Sequence, residues 1–205
     1  MKKTKQEAEE TKKAILQSAL DLFYEKGYFK TTFELISSKI GMTKGAVYWY
    51  FKNKPELVAA IINDYIERKK QYLSEKVPAL NHFKDIGTYF SATADFLLSN
   101  ENAYKTAFFL SLQMEWSQST ITKVLEGVRE NATYWSEYFT KALIKMQKNG
   151  EIRSDIRAEV LSAMMFNLWT GHVEAYLSKR CPTDLKCMVQ KSFDIMFNGL
   201  ILKKE

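Results

Sequence analysis

Apolar residues recur at spacings of three and four along most of this chain, which is the pattern of helices with one buried face. Over about residues 9–26, Ile15, Ala19 and Phe23 lie on one such face, and Gly27 follows it. A glycine just after an apolar stripe is typical of a helix C-terminus. The pattern along the whole chain predicts an all-α protein of about nine helices.

Two short helices are predicted next. Thr31 and Glu34 have the spacing of a capping box, which opens a helix of about eight residues that Gly41 ends. Thr43 can cap a third helix over about residues 44–50. Because the second of these helices is basic and a glycine-containing turn joins them, the pair predicts a helix-turn-helix.

A long fourth helix is predicted over about residues 54–75. Asn53 and Glu56 repeat the capping-box spacing, and Pro55 falls in the first turn, where its missing N–H costs little. At 1.5 Å per residue this helix would be roughly 33 Å long, enough to join two modules. Further apolar stripes predict helices near residues 81–99, 102–114, 118–148, 156–179 and 183–202.

The last two predicted helices carry apolar residues on more than one face. Besides their regular stripes, Phe166, Ile195 and Ile201 lie off the stripe. A second apolar face must be buried, and the interface of a homodimer is one place for it. A helix buried within the core of one chain is the alternative.

Composition excludes several classes of protein. The chain of 205 residues is 46% hydrophobic with only 3 prolines and 8 glycines, which argues against disorder and against an all-β fold. Its charged N-terminus is unlike a secretory signal, and its longest apolar stretch, 160–169, is too short to span a membrane. We therefore expect a cytoplasmic protein with no membrane association. Cys181 and Cys187 lack metal-ligand spacing, so we expect reduced thiols and no metal or cofactor.

Positive charge is concentrated at the start of the chain. Residues 1–54 contain 11 lysines and arginines against 6 acidic residues, a balance of +5, whereas residues 55–205 have a balance of +1. A basic module on a nearly neutral body indicates a polyanionic partner, although a solvated lysine-rich tail would have the same charge. We divide the chain into a helix-turn-helix domain, 1–54, and a helical body, 55–205.

The residues between about 12 and 57 resemble a known family. The resemblance rests on Ile15, Leu16, Ala19, Leu22, Phe23, Gly27, Thr31, Ile36, Gly41, Thr43, Lys44, Gly45, Val47, Tyr48, Phe51, Lys54 and Leu57. Together with the segment TKGAVYWYFKNKPEL, these residues are similar to the TetR family of transcriptional regulators, in particular its AcrR-like, multidrug-responsive branch. The resemblance implies a homodimer that binds a double-stranded DNA operator, usually as a repressor. It further implies that a small molecule bound in the body releases the DNA.

The family pattern also implies which residues meet DNA. Thr43, Lys44 and Gly45 would face base edges, and the lysine is chemically suited to guanine O6 and N7. An alternative for Gly45 is close packing against the second helix. Phosphates would be met by Tyr48, Tyr50, Lys54 and either Thr31 or Thr32.

Trp49 has two interpretations. It either packs between the first and fourth helices or lies against the sugar-phosphate chain of DNA. Its neighbours Val47 and Phe51 are expected in the core.

Aromatic residues and methionine in the predicted body could line a pocket for a largely apolar effector. The candidates are Phe108, Phe109, Trp116, Trp135, Tyr138, Met165, Phe166 and Trp169. The alternative for each of them is a place in the packed core.

Other functions of the same fold remain open at this stage. The chain could act as an activator, could sense a partner protein, or could bind DNA without sequence preference. An enzyme is not expected, because the chain has no nucleophile elbow or phosphate loop and its two histidines, His82 and His172, have no catalytic spacing.

Overall fold

A computed structural model describes residues 4–77, 79–114 and 116–200, without the side chains of 129–135 and 197. This described part is all-α, as predicted. Its helices are α1 Lys5–Lys30, α2 Phe33–Lys39, α3 Lys44–Tyr50, α4 Lys54–Lys76, α5 Phe83–Ser99, α6 Glu101–Phe108, α7 Gln118–Lys148, α8 Ala158–Leu177 and α9 Leu185–Leu200, with a π-helical turn at Phe109–Gln113 between α6 and α7.

Helix α1 begins earlier than predicted. It begins after Thr4, whose hydroxyl accepts from Glu7 N at 3.2 Å while the Glu7 carboxylate accepts from Thr4 N at 2.7 Å. At Gly27 the backbone has φ 79°, and helical residues continue to Lys30. The predicted end at Gly27 is confirmed, because the backbone leaves helical geometry at this glycine, and a further short helical segment then reaches Lys30.

The start of α2 corrects the predicted capping box. Thr32, not Thr31, is the N-cap residue, and its hydroxyl accepts from Leu35 N at 3.3 Å. Thr31 is fully buried and its hydroxyl donates to the Gly27 carbonyl at 2.9 Å. The tertiary fold thus uses Thr31 to close the end of α1 and leaves the cap of α2 to its neighbour.

The caps of the next two helices were predicted correctly. Thr43 caps α3 through a bond from Ala46 N of 3.3 Å. The side chain of Asn53 accepts from Glu56 N at 2.9 Å at the start of α4.

The first compact unit comprises Met1–Ile66 and Asn102–Arg129. Its core includes Phe23, which stacks on Phe109 of the π-helical turn with ring centroids 4.7 Å apart. Val47 and Phe51 are buried in the same core, as predicted. These contacts fix α3 by one face only, so that its other face remains available.

The second compact unit comprises Glu67–Glu101 and Glu130–Glu205. Phe90 of α5 lies at its centre, and its ring centroid is 4.5 Å from Phe193 of α9 and 5.6 Å from Phe139 of α7. Phe166 and Trp169 of α8 lie 5.8 and 5.9 Å from the same ring. An aromatic cluster therefore holds α5, α7, α8 and α9 together.

No helix in the described ranges is both long enough and apolar enough to cross a membrane. The two units divide α4 and α7 between them. The functional division at residue 55 stays a prediction.

Candidate nucleic-acid interface

The first turn of α3 is exposed while the rest of the helix is anchored. Val47 has no exposed surface and Phe51 is buried, whereas Thr43, Lys44 and Gly45 face solvent. The spacing places Val47 and Phe51 on the core side of the helix. The residues predicted to read bases are therefore the ones that α3 presents to solvent at its N-terminus.

Outside its own helical turn, Gly45 has no close neighbour among the described residues. A Cβ atom built at this position meets no heavy atom within 4 Å. Packing against α2, the alternative interpretation of this glycine, is therefore wrong. An exposed helical glycine that is not needed for packing fits a position at which another molecule approaches the backbone.

Lys44 is held by two neighbouring side chains. Its ammonium forms an ion pair with Glu34 of α2 and lies 5.6 Å from the centre of the Tyr48 ring. The hydrogen bond from Lys44 lowers the pKa of the Glu34 carboxyl, and the same bond raises the pKa of Lys44. Both side chains remain about half exposed, at 48% and 56%, so an incoming DNA can reach the pair.

A groove of about 370 Å³ opens beside α3 in the first unit, lined by the end of α1 and the starts of α2, α3 and α4. Lys44, Lys52 and Lys54 line it together with one acidic residue, Glu34. Thr32 also lines it and is exposed, which makes it more accessible to phosphate than the buried Thr31. The groove is thus a basic channel bordered by helix N-termini, which suits a phosphate chain.

Lys54 has a structural contact that the sequence did not indicate. Its ammonium donates to the carbonyls of Tyr28 at 2.8 Å and Phe29 at 3.5 Å, and lies 4.3 Å from the centre of the Tyr28 ring. Burial lowers the pKa of this lysine. Lys54 therefore ties α4 to the last turn of α1 while its charge stays at the groove.

The aromatic residues of α3 differ in exposure. Tyr48 is 46% exposed, and its ring centroid is 4.7 Å from that of Phe33. Trp49 is 75% exposed and makes an edge contact with Tyr50 at 4.7 Å. Packing of Trp49 between α1 and α4 is therefore wrong, because the helix turns this residue away from the core.

The comparison with known proteins identifies this part of the chain. A family model described as bacterial regulatory proteins, tetR family, matches residues 15–61. Residues 15–61 are a tetR-family DNA-binding domain. We call this segment the tetR-type head; it contains the C-terminal half of α1, all of α2 and α3, and the start of α4.

Relatives extend the match over the remaining chain. TtgR of Pseudomonas putida, an HTH-type transcriptional regulator, is 28% identical over 203 residues, which are 95% of this chain and 93% of TtgR. NalD, the secondary repressor of the MexAB-OprM multidrug efflux pump in Pseudomonas aeruginosa, has a TM-score of 0.77 at 23% identity, covering 96% of this chain and 99% of NalD. The SmeT–triclosan complex has a TM-score of 0.74 at 23% identity over 94% of this chain and 92% of SmeT. The likeness to the two solved structures shows a common fold, and the tetR-type head makes the chain a DNA-binding transcription regulator, not an enzyme.

The candidate effector residues are divided between the two units. In the first unit Phe109 is fully buried, Phe108 makes an edge contact with Tyr24 at 5.0 Å, and the Trp116 indole donates to the Leu110 carbonyl at 3.3 Å.

The other candidates lie in the second unit. Met165 is buried, Phe166 and Trp169 pack on Phe90, and the Tyr138 hydroxyl accepts from Leu80 N at 3.4 Å. The side chain of Trp135 lies outside the described residues. The effector role of all eight residues stays a prediction.

Glu34 and Lys52 line the groove but were not among the predicted site residues. Glu34 was assigned only to a helix cap, because a glutamate three residues after threonine has that explanation already. Lys52 lies in the linker before α4, and only the tertiary fold brings it to the groove. The concentration of lysines around the third helix was the available signal.

Proposed function

We propose that the protein is a homodimeric repressor that leaves a palindromic operator when a small, largely apolar molecule binds the C-terminal body. The observation that carries this proposal is the exposed first turn of α3 beside a lysine-lined groove. A helix of this size fits a major groove about 12 Å wide. In this arrangement Thr43, Lys44 and Gly45 meet base edges, while Tyr48, Tyr50 and Lys54 meet phosphates.

The dimer forms through α8 and α9. Val160 and Met164 of α8 are 44% and 51% exposed, and Ile195 of α9 is 74% exposed. Val160 and Met164 are four residues apart and therefore lie on one face of α8. Exposed apolar faces on two neighbouring helices support a subunit interface. Two-fold symmetry of the dimer would match a palindrome in the operator.

The effector is a small aromatic or aliphatic molecule. Phe166 and Trp169 of α8 are only partly buried, at the edge of the aromatic cluster around Phe90 in the second unit. Ligand pockets are lined mainly by such side chains. SmeT, which shares the fold, forms a complex with triclosan. These two observations support an apolar aromatic ligand.

Release of DNA follows from the continuity of α4. This helix of 23 residues is about 34 Å long and belongs to both units. A ligand that displaces its C-terminal half would tilt the tetR-type head and change the separation of the two recognition helices from the roughly 34–36 Å that adjacent major grooves require. Coupling of about 1–3 kcal/mol would weaken operator binding by roughly 5- to 150-fold.

A titration tests this function. The full chain is bound to an operator fragment selected from random DNA, and apolar aromatic compounds, beginning with triclosan, are added while DNA binding and tryptophan fluorescence are followed together. Every compound that alters the fluorescence is expected to weaken DNA binding. A compound that saturates its site on the protein and leaves the affinity for the operator unchanged would contradict ligand-controlled release.

A further inference from the structure

The ion pair between Glu34 and Lys44 places an acidic side chain at the DNA-binding face. Glu34 lies in the first turn of α2 and Lys44 is the first residue of α3, so the pair connects the two helices of the helix-turn-helix. Of the residues that line the groove, Glu34 alone is acidic, among three lysines. A carboxylate here opposes the binding of a polyanion, and packing does not require it, because its side chain is 56% exposed.

The two lysines of this face that the family pattern assigns to DNA are held differently. Lys54 donates to main-chain carbonyls and keeps its full charge for a phosphate. Lys44 is paired with a carboxylate, so that the pair has no net charge. A neutral pair releases no counterion from DNA when it approaches a phosphate, and it therefore contributes little to non-specific DNA binding.

The pairing leaves Lys44 able to read a base. An ammonium has three N–H donors, and Glu34 occupies one of them. The ring of Tyr48, 5.6 Å from the ammonium, limits the directions that the remaining donors take. Guanine presents two adjacent acceptors, O6 and N7, in the major groove. Both can be met by one ammonium that keeps its bond to Glu34.

We propose that Glu34 is a specificity-determining residue that positions Lys44. On DNA of arbitrary sequence it neutralises Lys44 and repels phosphates, which weakens binding. At the operator it holds the ammonium toward the acceptors of a guanine. This role rests on the proposed binding of a specific operator by the first turn of α3.

Replacing Glu34 by glutamine tests the role. Affinity of the full chain for the selected operator and for a scrambled duplex is measured between 50 and 200 mM salt, a range over which phosphate contacts dominate the change in affinity. For Glu34→Gln we expect non-specific affinity to rise roughly threefold to tenfold, with a salt slope steeper by about 0.9. Operator affinity is expected to change less than about twofold, so that the ratio of the two affinities falls.

Two controls separate positioning from simple charge. Glu25→Gln removes one negative charge from α1, where Glu25 pairs with Lys39 at 3.6 Å, and is expected to leave the ratio unchanged. In a Lys44→Met background, Glu34→Gln is expected to have no further effect on the ratio. Thermal unfolding of each variant checks that the fold is retained.

The outcomes are distinct. The positioning role would be overturned if Glu34→Gln raised the affinity for the operator and for the scrambled duplex by the same factor. It would also be overturned if Glu34→Gln lowered the ratio of the two affinities equally in the Lys44→Met background. If the wild-type protein prefers its operator and the Glu34→Gln ratio equals the wild-type ratio, only the role of Glu34 is overturned. A wild-type protein without any preferred sequence would overturn the proposed function and this role together.

Discussion

Replacing Gly45 by alanine should separate the needs of the fold from those of DNA binding. Beyond the local helical backbone, a methyl group at this position meets no heavy atom of the described residues within 4 Å. Alanine is favoured over glycine in a helix by about 0.5–1 kcal/mol, and a position in the first turn of α3 should give the lower part of that range. For a chain of this size the melting temperature should rise by about 1–3 °C. The free protein therefore becomes more stable.

The same methyl group should weaken operator binding. If the first turn of α3 lies against base edges, the added carbon occupies space that DNA fills in the complex, and contacts made by Thr43 and Lys44 are stretched or lost. A good side-chain contact to a base contributes about 1–3 kcal/mol. Loss of one such contact corresponds to about tenfold or more in the dissociation constant of the operator complex.

Gly87 of α5 supplies the matched control. A Cβ atom at Gly87 also meets no heavy atom within 4 Å, and the residue lies in the second unit. Gly87→Ala should stabilise the protein by a similar amount and leave operator affinity unchanged. Denaturant unfolding and fluorescence anisotropy with labelled operator measure the two quantities. A Gly45→Ala protein that binds the operator as tightly as the wild type would refute the close approach of DNA to α3.

Four further changes have defined outcomes. Lys54→Met should weaken binding about equally on all DNA sequences and reduce the salt slope by about 0.9, which salt titrations measure. It should also lower the free energy of unfolding by roughly 1–2 kcal/mol in urea unfolding, because the bond to the Tyr28 carbonyl is lost. Trp49→Ala should change the free energy of unfolding by less than about 0.5 kcal/mol, since the side chain is 75% exposed, yet weaken DNA binding in a gel-shift assay. Gly127→Ala should destabilise the protein by about 1–3 kcal/mol, because its Cβ would lie 2.6 Å from that of Ala59 and neither group can turn aside; thermal unfolding measures this. Burial lowers the pKa of Lys69 to about 8 from 10.5. The free energy of unfolding of the wild type, relative to that of Lys69→Met, should therefore increase by roughly 3 kcal/mol at most as pH rises from about 8 toward 10.5, and equal pH dependence of the two proteins would refute this.

Local signals account for the parts of the fold that were predicted well. The start of α3 and the start of α4 follow from Thr43 and Asn53, whose side chains bond to main-chain N–H groups only three residues away. Such bonds are set by neighbouring residues in the sequence, so they can be read without the tertiary fold. The core positions Val47 and Phe51 follow equally from helical spacing.

Tertiary contacts decided the parts that were predicted wrongly. By sequence Thr31 is the favoured cap, because Glu34 follows it at the spacing of a capping box, but Thr31 is buried and bonds to the Gly27 carbonyl, which leaves the cap to Thr32. Trp49 is a large aromatic residue of the kind often found in a core, but the orientation of α3 that buries Val47 exposes Trp49. The π-helical turn at Phe109–Gln113 carries Phe109, whose ring stacks on that of Phe23 in α1 at 4.7 Å, a contact that the periodicity of the segment does not indicate.

The sequence predicted only part of the candidate site. The residues that we propose to read bases could be selected from the family pattern around the third helix. The partners of the two lysines could not, because Glu34 lies on another helix than Lys44 and Tyr28 lies 26 residues before Lys54. These partners determine how much of each charge is available to DNA.

Selection of DNA from a random pool tests the central claim most directly. The wild-type chain and Lys44→Ala are each taken through the same selection at physiological salt, and the enriched sequences are compared. We expect the wild type to select a palindrome whose half-sites lie about one helical turn apart, and Lys44→Ala to lose preference at one symmetric base position while retaining the others. Enrichment of no common sequence by the wild type, or an unchanged palindrome with Lys44→Ala, would contradict sequence reading by the first turn of α3.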